Sequence, residues 1–237
     1  MNTGQKMKQI IAMGGGGFTM EPGNPLLDDY VLRQSPVKNP GICFLPTASG
    51  DNMELIEDFY DFFMTRECVP SHLPLLNPPT RDLERFVLDN DIIYVCGGHT
   101  GKMLAIWKAR GMDVILKKAW EKGILLAGLS AGASCWFEMG LTDSVPDQLT
   151  GEPCLGFLKG THCAHYENTG RRPTFHTLVE SGGLPAGYGT ENFAALHFMD
   201  NKLKRVVSSR PGAAAYKVYR TPGGVTEDRL EGIFLGT

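Results

Sequence analysis

Residues 128–132 have the sequence Gly-Leu-Ser-Ala-Gly, which places a serine between two glycines in a G-x-S-x-G pattern. A short apolar run, residues 123–127, precedes the pattern, and residues 134–138 have the character of a helix. Strand, G-x-S-x-G and helix are typical of a nucleophile elbow, the sharp turn that presents a serine hydroxyl to a base and a carbonyl. The sequence therefore predicts Ser130 as a nucleophile. The backbone N–H of Ala131 would be free to bind an oxyanion, because it begins a helix.

A serine nucleophile needs a base, and the chain has six histidines. Three of them fall in a predicted strand, helix or hairpin: His72, His176 and His197. His99 lies in a glycine-rich turn, where it could contact a substrate. His162 and His165 lie downstream of the serine in a segment rich in turn residues, and spacing alone does not separate them as candidates for the base.

The base in turn needs a carboxylate, which orients the imidazole and stabilises the imidazolium. Asp143 follows the predicted elbow helix closely and is the first candidate. Four other carboxylates compete with it: Asp147, Glu152, Glu167 and Glu191. A second oxyanion donor is expected in the pair Gly97-Gly98, because glycines directly after a strand let a backbone N–H point into a site.

Strands and helices alternate five times between residues 8 and 137, which indicates a parallel sheet covered on both faces. The predicted strands are residues 8–13, 41–45, 71–76, 91–96 and 123–127. In such sheets the functional site lies at the carboxyl ends of the strands. The turns after these strands are therefore expected at one edge: residues 14–17, 47–50, 97–101 and Ser130.

The character of the sequence changes after residue 140. Residues 140–169 are rich in turn formers, and a helix is predicted from Pro173 to Glu180. Alternating runs over 193–199 and 203–208 predict a β-hairpin, and residues 213–219 predict another strand. Since no linker or repeat interrupts the chain, we expect one domain over residues 1–237.

Composition narrows the class of protein. The 237 residues include 42% apolar and 21% charged residues, with a net charge of −3 and no basic run, which argues against nucleic acid as a partner. No apolar stretch is long enough for a membrane span, and no export signal is evident, so a cytoplasmic protein is expected. The six cysteines include no C-x-x-C pair, which favours free thiols over disulfides or a structural zinc site.

Six short motifs together carry a resemblance that extends over nearly the whole chain. They are Gly14-Gly15-Gly16, Leu45-Pro46-Thr47-Ala48, Gly97-Gly98-His99-Thr100, Gly128-Leu129-Ser130-Ala131-Gly132-Ala133, Thr142-Asp143-Ser144 and Ala164-His165-Tyr166. In this combination the sequence resembles the peptidase E family of serine peptidases, which includes aspartyl dipeptidases and, more distantly, cyanophycinase. The resemblance implies a glutamine amidotransferase-like fold, a three-layer α/β/α sandwich with a mainly parallel sheet.

The resemblance also implies roles for individual residues. Ser130 would be the nucleophile and His165 the base, with Gly98 and Ala131 as the oxyanion hole and no metal or cofactor. Asp143 would complete the triad, although the family uses Asp or Glu there, so Glu152 and Glu191 stay open. His99 stands where the family turn usually has Asn.

The function expected from these features is a serine dipeptidase that acts on short peptides. Arg171 and Arg172 precede a predicted helix, where cations oppose the macrodipole and cost stability without an evident gain, which indicates a function. Because a guanidinium can bind a carboxylate with two hydrogen bonds, we hypothesise that they bind an acidic P1 side chain or a terminal carboxylate. Glu191 resembles a further carboxylate at the active edge of relatives. Expected partners are a short peptide and, as an open option, a second copy of the chain, without nucleic acid or membrane. The alternatives are an esterase of the α/β-hydrolase type, or a binding protein that keeps the elbow only as architecture.

Overall fold

A computed structural model describes residues 7–236, which form two β-sheets and seven α-helices. Residues 1–6 and Thr237, which the single-domain prediction includes, lie outside the described residues. No helix among residues 7–236 is long and apolar enough to cross a membrane. The helices are α1 (Leu26–Arg33), α2 (Met53–Phe63), α3 (Leu83–Leu88), α4 (Thr100–Arg110), α5 (Met112–Glu121), α6 (Ala131–Ser134) and α7 (Arg171–Ser181).

Strands alternate with helices in the first half of the chain and follow one another in the second half. They are β1 (Gln9–Met13), β2 (Gly41–Leu45), β3 (Val69–His72), β4 (Ile92–Val95), β5 (Leu125–Leu129), β6 (Phe137–Val145), β7 (Gln148–Pro153), β8 (Leu158–Ala164), β9 (Gly187–Thr190), β10 (Ala194–Met199), β11 (Lys202–Ser208), β12 (Ala215–Thr221), β13 (Gly224–Leu230) and β14 (Ile233–Phe234).

The first sheet has eight strands in the order β14-β11-β10-β1-β5-β4-β2-β3. Strands β1, β5, β4, β2 and β3 pair in parallel, and β10 joins them antiparallel to β1. All residues of β4 and β5 are buried, as expected for strands covered on both faces. The predicted α/β/α sandwich with a mainly parallel sheet and a nucleophile elbow is confirmed.

The third strand begins earlier than the sequence predicts. It was expected at residues 71–76, whereas β3 runs from Val69 to His72, in register with β2 from Gly41 to Phe44. Pro74 follows soon after and has no N–H to donate to a neighbouring strand, so the ladder ends before it.

The second sheet has six strands in the order β13-β12-β9-β8-β6-β7, and most of it is absent from the sequence prediction. The helix expected at residues 134–138 is wrong, because α6 ends at Ser134 and β6 begins at Phe137. The turn-rich segment 140–169 also forms strands. Several of its turn formers lie inside the strands, among them Gly140 in β6, Gly151 in β7 and Gly160 in β8. β6 is stabilised by antiparallel pairing with β7 and parallel pairing with β8.

The two sheets meet at the turn between β9 and β10, which passes the end of β1. The Gly14 N–H donates to the Ala194 carbonyl at 3.0 Å, and the Phe193 N–H donates to the Gly15 carbonyl at 2.9 Å. In the first sheet β1 and β5 are parallel neighbours, and in the second sheet β8 and β9 are parallel neighbours. The carboxyl ends of these four strands therefore converge on one place.

Candidate active site

Ser130 lies at a sharp turn between β5 and α6, with φ 54° and ψ −114°. Residues other than glycine rarely adopt this backbone conformation, which costs about 1–3 kcal/mol and persists only where the surrounding structure enforces it. Two glycines make the close crossing possible. A Cβ at Gly128 would come within 2.3 Å of the Gly132 carbonyl oxygen, and a Cβ at Gly132 within 2.4 Å of the Val95 carbonyl oxygen. The Ser130 N–H also donates to the Met13 carbonyl at 3.0 Å.

His165 follows β8 directly and also has a positive φ, 51°. Its N–H donates to the Gly14 carbonyl at 3.3 Å, which connects the end of β8 to the end of β1. Its Nε2 lies 2.8 Å from Ser130 Oγ. The structure thus brings together the two residues that the resemblance pairs as nucleophile and base. This distance lies within the range that proton transfer requires.

Asn192, which sequence reasoning missed, lies on the other side of the imidazole. Its Oδ1 is 2.7 Å from His165 Nδ1. Its own Nδ2 donates to Oε1 of Glu167, and its backbone N–H donates to Oε2 of Glu167 at 3.0 Å. A continuous chain of hydrogen bonds therefore links Ser130, His165, Asn192 and Glu167. Glu167 is one of the competing carboxylates in the sequence, but it reaches His165 through an amide.

The position of Asn192 follows from strand pairing that the sequence does not reveal. Thr190 at the end of β9 pairs with Ala164 at the end of β8, so the residues that follow both strands emerge side by side. A prediction of β8 and β9 as parallel neighbours would have placed Asn192 next to His165. The segment that holds β8 instead has the composition of turns.

Gly15 lies next to the contact between His165 and Asn192. A Cβ there would come within 2.0 Å of Asn192 Oδ1 and 3.0 Å of His165 Cε1. The glycine-rich turn after β1 thus leaves room for the imidazole–amide contact.

Asp143, predicted as the triad acid, is not hydrogen-bonded to His165 in the structure. It lies near the end of β6 with a side chain 71% exposed, and its carboxylate pairs with Arg171 at 2.9 Å. The position on the imidazole that an acid would occupy is taken by Asn192. Asp143 is thus paired with the largely buried guanidinium at the start of α7, and its role as the triad acid stays a prediction.

The two alternative carboxylates also have other partners. Glu152 accepts hydrogen bonds from Ser144 Oγ at 2.8 Å and Thr142 Oγ1 at 3.1 Å. Glu191 accepts from the Ala214 N–H at 2.9 Å and the Tyr216 hydroxyl at 3.0 Å. Glu191 thereby anchors the turn that carries its neighbour Asn192.

His162 is fully buried and belongs to a different set of contacts. Its Nδ1 lies 2.9 Å from Ser134 Oγ, its Nε2 lies 3.1 Å from Thr190 Oγ1, and its ring stacks on Phe137. Burial lowers the pKa of His162 to about 3, with smaller electrostatic contributions from the neighbouring His165 and Arg171. His162 is therefore neutral at physiological pH, and both of its ring nitrogens are engaged away from Ser130.

The predicted oxyanion donors lie on two sides of the elbow. Gly98 has φ 137°, and a Cβ there would come within 2.2 Å of the Ala48 carbonyl oxygen, so only glycine fits. A Cβ at the adjacent Gly97 would lie 3.3 Å from Ser130 Cβ, which places this turn against the elbow. Within residues 7–236, the N–H groups of Gly98 and Ala131 donate to no protein acceptor. They are therefore available to an oxygen of a substrate.

The residues predicted to bind substrate are held by other protein groups. Arg171 donates to the Leu141 carbonyl at 3.1 Å as well as to Asp143. Arg172 donates twice to the carboxylate of Glu227. These arginines are the first two residues of α7, which begins two residues earlier than predicted.

His99 forms the N-cap of α4. Its Nδ1 accepts a hydrogen bond from the Lys102 N–H at 3.3 Å. A contact between His99 and a substrate stays a prediction.

An α/β/α sandwich with a serine at its strand-to-helix elbow and an imidazole at 2.8 Å defines an α/β protein of the nucleophile-elbow type. Residues 10–206 match the model of Peptidase family S51, and the chain belongs to this family. It is 52% identical to YgaJ, an uncharacterized peptidase of Bacillus subtilis strain 168, over 97% of this chain and 100% of that protein.

Two solved structures share the fold at low sequence identity. One is a protein of Listeria monocytogenes EGD-e whose name proposes a peptidase E. It is 17% identical with a TM-score of 0.60, over 95% of this chain and 100% of that chain. The other is a peptidase from an acI-B1 Actinobacterium, 18% identical with a TM-score of 0.66, over 97% of this chain and 96% of that chain. These similarities support the fold assignment.

Proposed function

We propose that the protein is a serine peptidase that hydrolyses short peptides through an acyl-enzyme, with Ser130 as nucleophile and His165 as base. The observation that carries the proposal is the 2.8 Å contact between Ser130 Oγ and His165 Nε2 at a strained elbow. Membership of peptidase family S51 supports a peptide as the substrate.

In this mechanism His165 Nε2 accepts the proton of Ser130 Oγ as the oxygen attacks the carbonyl carbon of the peptide bond. The carbonyl oxygen gains negative charge and accepts hydrogen bonds from the N–H groups of Ala131 and Gly98. The imidazolium then gives its proton to the leaving amine, and an acyl-enzyme on Ser130 remains. Water, deprotonated by the same imidazole, releases the acid product and restores the serine.

A preference for dipeptides with an acidic P1 residue is the finer part of the proposal. Arg171 and Arg172 are its candidates, but each guanidinium already pairs with a carboxylate, Asp143 or Glu227. An acidic P1 side chain would have to displace one of these partners or share its arginine. Arg172 is the more accessible of the two, with 42% of its side chain exposed against 12% for Arg171.

Substitution of the two central residues tests the mechanism. Ser130→Ala and His165→Ala should each lower kcat/KM by about 10³-fold or more, because members of one catalytic unit fail together. A fluorophosphonate probe should label the wild type and not Ser130→Ala. Ser181→Ala, at an exposed position on α7, is the matched control and should behave as the wild type. More than a tenth of wild-type turnover in Ser130→Ala would contradict the nucleophile assignment.

A panel of Asp-X, Asn-X and Ala-X dipeptides tests specificity. The wild type should favour Asp-X over the isosteric Asn-X, and Arg172→Ala should narrow that gap more than it changes hydrolysis of Ala-X. If Asp-X has no advantage, the protein is a peptidase without an acidic P1 pocket. If the advantage survives in Arg171→Ala and Arg172→Ala, other residues form the pocket.

A further inference from the structure

Hydrogen bonds connect His165 to Asn192 and Asn192 to Glu167. We infer that Glu167 determines which group in this series donates and which accepts. Glu167 is a positioning residue that determines which ring nitrogen of His165 carries the proton, and it does so through the amide of Asn192. This inference rests on the proposed function of Ser130 and His165. Its structural basis is that Glu167 accepts from both the backbone N–H and Nδ2 of Asn192.

The direction follows from what each group can donate. An ionised carboxylate only accepts hydrogen bonds, so both groups that face Glu167 must be donors. The amide of Asn192 therefore turns Nδ2 toward Glu167 and Oδ1 toward His165. Because Oδ1 only accepts, the ring proton of His165 is on Nδ1, at the 2.7 Å contact. Nε2 is then left with a lone pair that can accept the proton of Ser130.

The same geometry predicts that Glu167→Gln exchanges donors and acceptors along the hydrogen bonds between position 167 and His165. The backbone N–H of Asn192 can only donate, so it retains the single remaining oxygen at position 167. The new NH₂ group then faces the side chain of Asn192, whose amide must rotate to present Oδ1. Its Nδ2 now donates to His165 Nδ1, and the ring proton moves to Nε2, where the imidazole cannot accept from Ser130.

A second substitution should restore the direction. In Glu167→Gln combined with Asn192→Asp, the carboxylate at position 192 accepts from the new amide and from His165 Nδ1–H. The imidazole regains its lone pair on Nε2. A residue at 167 that only supported the local fold would not be rescued by this change.

The test combines kinetics with a direct measurement of the tautomer in the full chain. NMR of ¹⁵N-histidine-labelled protein shows which nitrogen of His165 is protonated, and a His165→Gln sample assigns the signal. kcat and KM are measured on the best dipeptide of the panel across pH. Glu180→Gln, which removes an exposed carboxylate on α7, is the matched control.

We expect the ring proton on Nδ1 in the wild type and on Nε2 in Glu167→Gln. A wrong tautomer in otherwise intact geometry costs serine proteases about 10⁴-fold. We therefore expect kcat to fall by about 100-fold or more at every pH, with KM within about threefold. Adding Asn192→Asp should recover at least about tenfold, and Glu180→Gln should match the wild type.

Three results would overturn the inference: a wild-type ring proton on Nε2, wild-type kcat in Glu167→Gln, or no rescue by Asn192→Asp in a folded protein. If Glu167→Gln does not fold, the wild-type spectrum still decides the tautomer. If the wild type neither hydrolyses peptides nor reacts with the fluorophosphonate, the proposed function fails. The NMR result then stands separately.

Discussion

Replacement of Gly15 by alanine tests whether the glycine-rich turn positions His165 and Asn192. The backbone of Gly15 lies outside the left-handed region, so alanine is allowed there except for its contacts. Its Cβ would lie 2.0 Å from Asn192 Oδ1, whereas an ordinary carbon–oxygen contact is about 3.3 Å. The amide must therefore move by more than about 1 Å.

The kinetic cost of this movement can be estimated. A displacement of about 1 Å in a catalytic arrangement costs on the order of 100-fold in rate, or about 3 kcal/mol in activation free energy. We expect Gly15→Ala to lower kcat/KM and the rate of fluorophosphonate labelling by this factor. Gly23→Ala is the matched control, because a Cβ at Gly23 would meet no atom within 4 Å. Circular dichroism and a melting curve show whether each variant folds.

A double-mutant cycle with Asn192→Ala separates the clash from a general loss of stability. Asn192→Ala removes the atom that the new methyl group contacts first, so adding Gly15→Ala to it should cost less than about tenfold. If Gly15→Ala retains more than a third of wild-type kcat/KM, the turn does not position the site. Additive effects in the double variant would show that the loss arises elsewhere.

Two further predictions concern Asp143 and Asp28. Asp143→Asn should change kcat/KM by less than about threefold, because its carboxylate contacts Arg171 and not His165, and a 100-fold loss would support Asp143 as the triad acid. Burial raises the pKa of Asp28 to about 7, although the Tyr94 hydroxyl donates to it at 2.7 Å. Between about pH 4 and pH 7 the unfolded carboxyl binds fewer protons than the folded one, so the free energy of unfolding should fall as pH rises through this window. The free energy of unfolding is measured by urea denaturation at pH 5 and pH 7.5, and Asp28→Asn should reduce the difference between these two values. An unchanged difference would contradict the raised pKa of Asp28.

The features that the sequence predicted well depend on residues close together in the chain. The elbow at Ser130 requires little side-chain volume where β5 and α6 cross, and Gly128 and Gly132 meet that need within five residues. The apolar runs of β2, β4 and β5 have the length and composition of strands buried on both faces, so the parallel sheet was also predictable.

The elements that were mispredicted depend on partners distant in the chain. Residues 140–169 have many turn formers, and their local preference does not favour strands. They form β6, β7 and β8 because β6 pairs with both of the others and β8 also pairs with β9. Strand preference depends strongly on such tertiary context, so local composition gave the wrong assignment here.

The candidate site shows the same division between local and long-range determinants. Ser130 was identifiable from its neighbours, and the motif around His165 carried its resemblance to the family. Asn192 and Glu167 acquired their places only from tertiary structure, since Asn192 lies 27 residues from His165 and 25 from Glu167. Parallel pairing of β8 with β9, and the passage of the next turn beside Gly15, bring the amide to the imidazole. A hydrogen bond needs placement to within a fraction of an ångström, and here the register of long-range strand pairs decides that placement.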